Sequence, residues 1–225
     1  MSRVLYLSDL HIPFEHKKAL DFAKKLADKY KVDKIISVGD IADFHAYSIK
    51  WSPDPNGLSP GDEYEMLRES IEPWYKSFPD LEIVPSNHDS RPYKKIFHAS
   101  LPRQLFKGIG EFLGSPKGWI WNETGIDVDG CYVFHGEGLS QGNWHKAHEK
   151  VKSSVIHGHL HNSAGVVHHR DRKRNYVVMN TGCMIDEEAY CFRYSGYNFN
   201  KACLGYGIAI DGEFLVWERL PSKWK

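Results

Sequence analysis

Short apolar runs alternate along the chain with stretches whose apolar residues recur every three or four positions, and a polar residue closes most of the runs. Val4-Leu5-Tyr6-Leu7 leads into Asp9, Ile35-Ile36-Ser37-Val38 ends at Gly39-Asp40, and Leu81-Glu82-Ile83-Val84 ends at Asn87-His88-Asp89. Between the first two runs, residues 16–30 place Leu20, Ala23, Ala27 and Tyr30 at helical spacing with lysines opposite. The proline- and glycine-bearing stretch from Trp51 to Gly61 predicts a loop. A helix from Asp62 to about Ser77 follows, with Asp62 as N-cap and Glu65 as its capping-box partner. Farther on, Tyr132-Val133-Phe134 ends at His135, and Val155-Ile156 ends at His157-Gly158-His159-Leu160-His161. Two hairpins complete the pattern: Val166–His169 with Asn175–Met179, and Gly207–Ile210 with Phe214–Glu218 about an Asp211-Gly212 turn. Near-continuous apolar strands alternating with helices imply sheets covered on both faces, an α/β class, in a single domain spanning residues 1–225.

Composition removes several alternatives. With 41% apolar residues among 225, the chain can bury a sizeable core without disulfide staples. Its 29 Lys and Arg balance 29 Asp and Glu, so no global field draws it to a polyanion, which would have to be held by a local patch or a metal. No apolar run approaches the roughly 20 residues of a membrane span. Val4–Leu7 runs directly into Ser8, Asp9 and His11, unlike a signal peptide. Cys131, Cys183, Cys191 and Cys203 lack CxxC spacing and read as reduced thiols of a cytoplasmic protein.

The residues that close the runs carry the chemistry. In open α/β sheets, positions just beyond the strands' carboxyl ends share one rim. Here those positions hold Asp9 and His11, Asp40, Asn87, His135, then His159 and His161, with no Lys or Arg among them. One such residue is ordinary; the succession is not. Imidazoles, carboxylates and an amide oxygen without a thiolate suit manganese, iron or zinc. They outnumber what one tetrahedral ion uses, and two ions sharing a carboxylate fit them better.

Asp9-Leu10-His11, Gly39-Asp40-Ile41-Ala42-Asp43, Asn87-His88-Asp89, His135 and Gly158-His159-Leu160-His161 resemble, in order, the five motifs of the calcineurin-like metallophosphoesterases. The resemblance covers residues 4–182 and extends to Asn180-Thr181-Gly182-Cys183, similar to the family's Asn-Pro-Gly-Ser segment; the layout looks like small phage and bacterial members. It implies a four-layer αββα sandwich, two mixed β-sheets flanked by helices. It also implies two divalent transition-metal ions, manganese first, with iron, zinc or nickel as alternatives. Carried over residue by residue, Asp9, His11 and His161 hold the first ion, Asn87, His135 and His159 the second, and Asp40 bridges them. A shared water of lowered pKa would then attack phosphorus in line. His88 would protonate the leaving oxygen with Asp89 orienting its imidazole, and Asp43 would fix a ligand from behind. One departure is Ser86, where the family usually has Gly; a positive φ there would cost about 1 kcal/mol or more.

The substrate is less sharply indicated. Asn87–Arg91 is similar to a stretch of the protein Ser/Thr phosphatases, but their phosphate-gripping Asp-Arg-Gly is replaced by Asp43-Phe44-His45, which argues against a phosphoprotein. Charge balance at a two-ion centre favours a monoanionic diester. The expected function is therefore a phosphodiesterase of a nucleotide or nucleic acid, with Arg91, His45 and His16 as pocket candidates. The alternatives are a phosphomonoesterase or a non-catalytic scaffold. No membrane partner is expected, and the oligomeric state stays open. The basic cluster from His168 to Arg174 could touch a nucleic-acid backbone but reads better as a solvated hairpin tip. The aromatics Tyr190, Phe192, Tyr194, Tyr197, Phe199 and Tyr206 could stack bases, pack or form a dimer surface, and His145 and His148 read as solvated or capping residues.

Overall fold

A computed structural model of the chain describes residues 1–49, 57–189, 191–192 and 200–224. The apolar runs form the strands they predict. β1 (Arg3–Leu7), β2 (Lys34–Ser37), β3 (Leu81–Ile83) and β4 (Trp119–Trp121) pair in parallel. The antiparallel hairpin of β10 (Gly205–Ile210) and β11 (Phe214–Arg219) extends the other edge of β1, giving the order β11-β10-β1-β2-β3-β4. A second sheet has the order β5-β6-β7-β9-β8. Its members are β5 (Ile126–Val128), β6 (Cys131–Val133), β7 (Ser154–His157), β8 (Gly165–Arg170) and β9 (Asn175–Asn180). β6, β7 and β9 run parallel, with β5 and β8 antiparallel at the edges.

The two-residue period of a strand sorts side chains into layers. Val4, Tyr6, Ile36 and Val38 of the first sheet pack with Val133, Ile156, Val177 and Met179 of the second. Leu5 and Leu7, on the opposite face of β1, bury against α1 (Ala19–Tyr30) and α2 (Pro60–Ser77) through Phe22, Leu26, Leu67 and Trp74. Beyond the second sheet, Val155 and Val178 meet Trp144 and Ala147 at the start of α5 (Ala147–Val151). Helices, sheet, sheet and helix thus stack as expected. Two shorter helices, α3 (Arg91–His98) and α4 (Ile109–Leu113), follow β3.

Some boundaries differ from expectation. The N-cap of α2 is Ser59, not Asp62: its Oγ accepts from the Asp62 amide at 3.1 Å. Pro60, assigned to the loop, is the first helical residue, because its fixed φ suits that position and its missing N–H is not needed there. α1 starts at Ala19, since the His16 amide is engaged by the Met184 carbonyl at 2.7 Å. In the C-terminal hairpin Asp211 and Gly212 both adopt positive φ, as the Asp-Gly signal requires. Tyr206 is fully buried with its hydroxyl donating to the Ala19 carbonyl, so it packs. Tyr190, Tyr194, Tyr197 and Phe199 lie outside the described residues, as do residues 51–56 of the predicted loop.

The layer between the sheets should be the most sensitive to truncation. Ile156→Ala is expected to lower stability by about 2–5 kcal/mol and Ile156→Val by about 0.5–1.5 kcal/mol, read from urea denaturation midpoints.

Candidate metal centre

The carboxyl ends of β1, β2 and β3 meet those of β6, β7 and β9 along one rim, and hydrogen bonds fasten the two sets of loops together. Ser8 Oγ donates to the carbonyls of Thr181 and Gly205, both at 2.7 Å, and Asp9 forms an isolated parallel bridge with Cys183. The His159 amide donates to Asp9 Oδ2 at 2.7 Å, and His135 Nδ1 donates to the Val38 carbonyl at 2.9 Å. The loops bend sharply: His11, Asp40 and His159 all have positive φ, a conformation that costs a non-glycine residue about 1 kcal/mol or more. At two places only glycine fits. A Cβ on Gly158 would stand 2.3 Å from Asp9 Oδ1, and one on Gly39, whose φ is +98°, would stand 2.6 Å from Ser86 Cβ.

These turns bring the sequence candidates together as two donor clusters. Asp9, His11, Asp40 and His161 place ligand atoms within 4.8 Å of one another, and so do Asp40, His135 and His159. Asp40 belongs to both. Asn87 joins the second cluster with Oδ1 2.8 Å from His135 Nε2. Within the clusters, lone pairs face lone pairs. His11 Nδ1 is taken by Asp43 Oδ1 at 2.6 Å, so its Nε2 presents a lone pair to His161 Nε2 at 3.2 Å and Asp40 Oδ2 at 3.5 Å. His135 Nε2, whose partner nitrogen Nδ1 donates to Val38, stands 3.2 Å from Asp40 Oδ2 and 3.1 Å from His159 Nδ1, so a proton or a cation must lie between them. Asp9 Oδ1 is buried without a hydrogen-bond partner. Converging acceptors in a buried site need cations between them, and this nitrogen- and oxygen-only set suits a pair of divalent ions.

The titration behaviour agrees. Burial disfavours an imidazolium at His135, but the carboxylates of Asp40 and Asp9 outweigh it and raise its pKa to about 10. Burial would likewise raise the Asp40 carboxyl, yet the surrounding histidines hold it well below the ordinary range. His11 goes the other way, to about 4, through burial and the neighbouring His88.

The residues around the clusters correct one assignment. Asp89 does not touch the His88 imidazole. It accepts from Ser86 Oγ at 2.6 Å and from the amides of Ala42 and Ile41 at 2.9 and 3.3 Å, clamping the Asp40 loop to the Asn87 loop. The carboxylate facing His88 is that of Asp43, with Oδ1 2.9 Å from Nδ1. Asp43 thus sits behind both His11 and His88, and Arg91 Nη1 lies 3.6 Å from its other oxygen. Ser86 does not have positive φ; its Oγ accepts from the Asp40 amide at 2.9 Å, a bond glycine could not make. His45 approaches Asp43 with Nδ1 3.8 Å from Oδ2. His16 lies apart from the rim, in a surface cleft with Lys17, Asp186 and Glu188.

Sequence reasoning missed Glu63, buried on α2, whose carboxylate accepts the amides of His45 and Ala46 (both 2.6 Å) and is pushed by burial to about 7. It also left Phe192 among general aromatics, whereas its ring stands edge-on to His11 at 5.4 Å. Neither carried a local signal. His157 belongs to the second sheet's outer face, against Trp144, and is not in either cluster. His148 stacks on His169 at 4.1 Å, away from the centre.

A family model described as calcineurin-like phosphoesterase matches residues 2–186. The chain belongs to this family. Membership supports phosphoester hydrolysis in general, and the buried His/Asp clusters are compatible with a two-metal calcineurin-like centre. No curated protein matches the chain. Among solved structures, it is similar to Vacuolar Protein Sorting 29 from Cryptosporidium parvum (13% identity, 97% of each chain covered, TM-score 0.48). It is also similar to Chaetomium thermophilum Vps29 (13%, 99% of this chain and 93% of that one, 0.48). A third likeness is to Pseudomonas putida nuclease MPE (12%, 96% and 87%, 0.39). No described helix is long and apolar enough to cross a membrane.

Two outcomes follow from the geometry. An imidazole whose pKa is raised to about 10 carries a proton at neutral pH that a metal must displace, so manganese binding should release protons, and affinity should rise about tenfold per pH unit for each proton displaced. Calorimetry in two buffers of different ionisation enthalpy reads this directly. Asp43→Ala should weaken manganese binding about 10- to 100-fold by freeing His11 from behind, whereas Asp89→Asn should chiefly lower the melting temperature.

Proposed function

We propose that this chain is a dinuclear metal-dependent phosphodiesterase, one domain over residues 1–225, acting on a nucleotide or nucleic acid. The observation that carries the reading is the pair of donor clusters sharing Asp40. Asp9, His11 and His161 would hold one ion, Asn87, His135 and His159 the other, with Asp40 between. Two divalent ions so held supply an acidified water and electrostatic stabilisation of phosphoryl oxygens.

The chain's own groups do the rest. A cleft of about 310 Å³ opens over Asp40, Asn87, His88, His159 and His161, and Phe192 forms part of its wall. His88 stands at its edge as the proton donor to the leaving oxygen. Burial opposes an imidazolium there, but the Asp40 and Asp43 carboxylates raise the His88 pKa. Arg91 Nη2, 3.0 Å from His88 Nε2, can only donate, so in this arrangement the ring carries its proton on Nδ1 toward Asp43. Loading Nε2 with a proton requires Arg91 to withdraw, which a substrate phosphate drawing the guanidinium would accomplish. Charge is compatible with a diester: with Arg91 offset by Asp43 and His88 neutral, two divalent ions against Asp9 and Asp40 leave a formal charge of about +2, which a monoanionic ester with one hydroxide balances.

Asp40→Asn and His161→Ala are each expected to reduce manganese-dependent hydrolysis of a bis-aryl phosphate by more than about a hundredfold, beyond the usual effect of an outer-sphere change. His88→Ala should lower kcat about 10²- to 10⁴-fold. Undiminished turnover in chelator overturns the proposal, and faster turnover of the mono-aryl ester would make the protein a phosphomonoesterase.

A further inference from the structure

The segment following the Asn87-His88-Asp89 loop is unlike the rest of this electrically neutral chain. From Ser90 to Gly110 there is no Asp or Glu; Arg91 faces Asp43 and Lys107 pairs with Glu111, which leaves Lys94, Lys95 and Arg103 to supply positive charge. Apolar side chains are exposed among them: Phe97 is 81% exposed, Leu105 69% and Leu101 46%. A groove of about 310 Å³ runs between α3 and the segment after it, lined by Tyr93, Lys94, Phe97, Leu101 and Arg103, with Ile49 opposite. The Arg103 guanidinium lies 5.5 Å over the Tyr93 ring. The groove is continuous with the metal rim, since Ser90 lines it and Lys94 Nζ lies 3.4 Å from the Asn87 carbonyl.

We propose that this groove on α3 seats a single-stranded polynucleotide, leading the strand to the rim where Asp40 and Asn87 stand. The inference rests on the diesterase reading and deepens it. The occupant follows from the chemistry: cations without intervening acids track a phosphate backbone, and an exposed ring offers a face for a base. A duplex hides its base faces and would leave Phe97 in water. The other basic cluster, His168–Arg174, cannot serve: Gly165 pairs with Asn180 at the rim, while Arg170 pairs with Asn175, so the hairpin tip points to the far end of the sheet.

The test uses the manganese-loaded full chain and a fluorescein-labelled, phosphorothioate-linked oligothymidylate of about 20 nucleotides, followed by anisotropy. The strand is expected to bind with a log–log salt slope of about −2 to −3, as three or four phosphate contacts give. Phe97→Ala should weaken binding about tenfold or more while Phe97→Trp retains it, and Arg103→Gln should flatten the slope by about 0.7. No binding by the wild type, equal affinity for the duplex or a polyglutamate peptide, or an unchanged affinity for Phe97→Ala overturns the inference. If the same preparation hydrolyses bis-aryl phosphate, such a result leaves the diesterase reading intact. Oligothymidylate binding without any diester hydrolysis overturns the diesterase reading instead.

Discussion

At the junction of the two sheets, hydrogen-bond acceptors point at one another with too few donors to separate them. Asp9, Asp40, Asn87 and four imidazoles meet at the floor of a cleft, with imidazole nitrogens about 3 Å from carboxylate oxygens. Left alone, such a cluster takes up protons, as the raised affinity of His135 shows. Divalent cations satisfy it more fully, because each accepts several lone pairs at once. The unfavourable electrostatics of the protein without its ions are the counterpart of its capacity to bind them.

Holding that arrangement requires stiffness, and the fold supplies it from both sides. Parallel strands deliver their carboxyl ends to one edge in each sheet, and the apolar layer containing Tyr6, Ile156 and Met179 fixes the sheets against each other. Positive φ at His11, Asp40 and His159 would relax if these loops were free. Bonds prevent it: Ser8 ties the first strand to the Thr181 loop, and Asp89 ties the Asp40 loop to Ser86. Asp43 performs a different duty. Buried among His11, His88 and Arg91, it faces the His11 ring of the first donor cluster and the His88 ring beside it, so on the proposed reading one carboxylate would couple metal binding to proton transfer.

The alternation of apolar runs and helical stretches marked β1, β2, β3, β6, β7, the two hairpins, α1 and α2, because those features depend on spacing between near neighbours, whereas β4 and β5, three residues each, and the short α3 and α4 were not foreseen. The donor residues were legible for the same reason: Asp9, Asp40, Asn87, His135, His159 and His161 each lie within a few positions of a strand end. Which residue caps the N-terminus of α2 was less legible, since Ser59 and Asp62 both satisfy the local rule and only the helix itself shows which oxygen meets a free amide.

Partnerships across the chain were decided by tertiary structure. Asp43 and Asp89 both stand near His88, one far off in sequence and one adjacent, and adjacency suggested the wrong one; the turn after Asn87 aims Asp89 back at Ser86 and Ala42. Phe192 reaches the centre, and Glu63 holds the backbone at His45 and Ala46 beside it, from elements with no motif at all. A sequence records which chemistry is available and where each strand delivers it. Which lone pair faces which is set by the packing of two sheets, a property of residues more than a hundred positions apart.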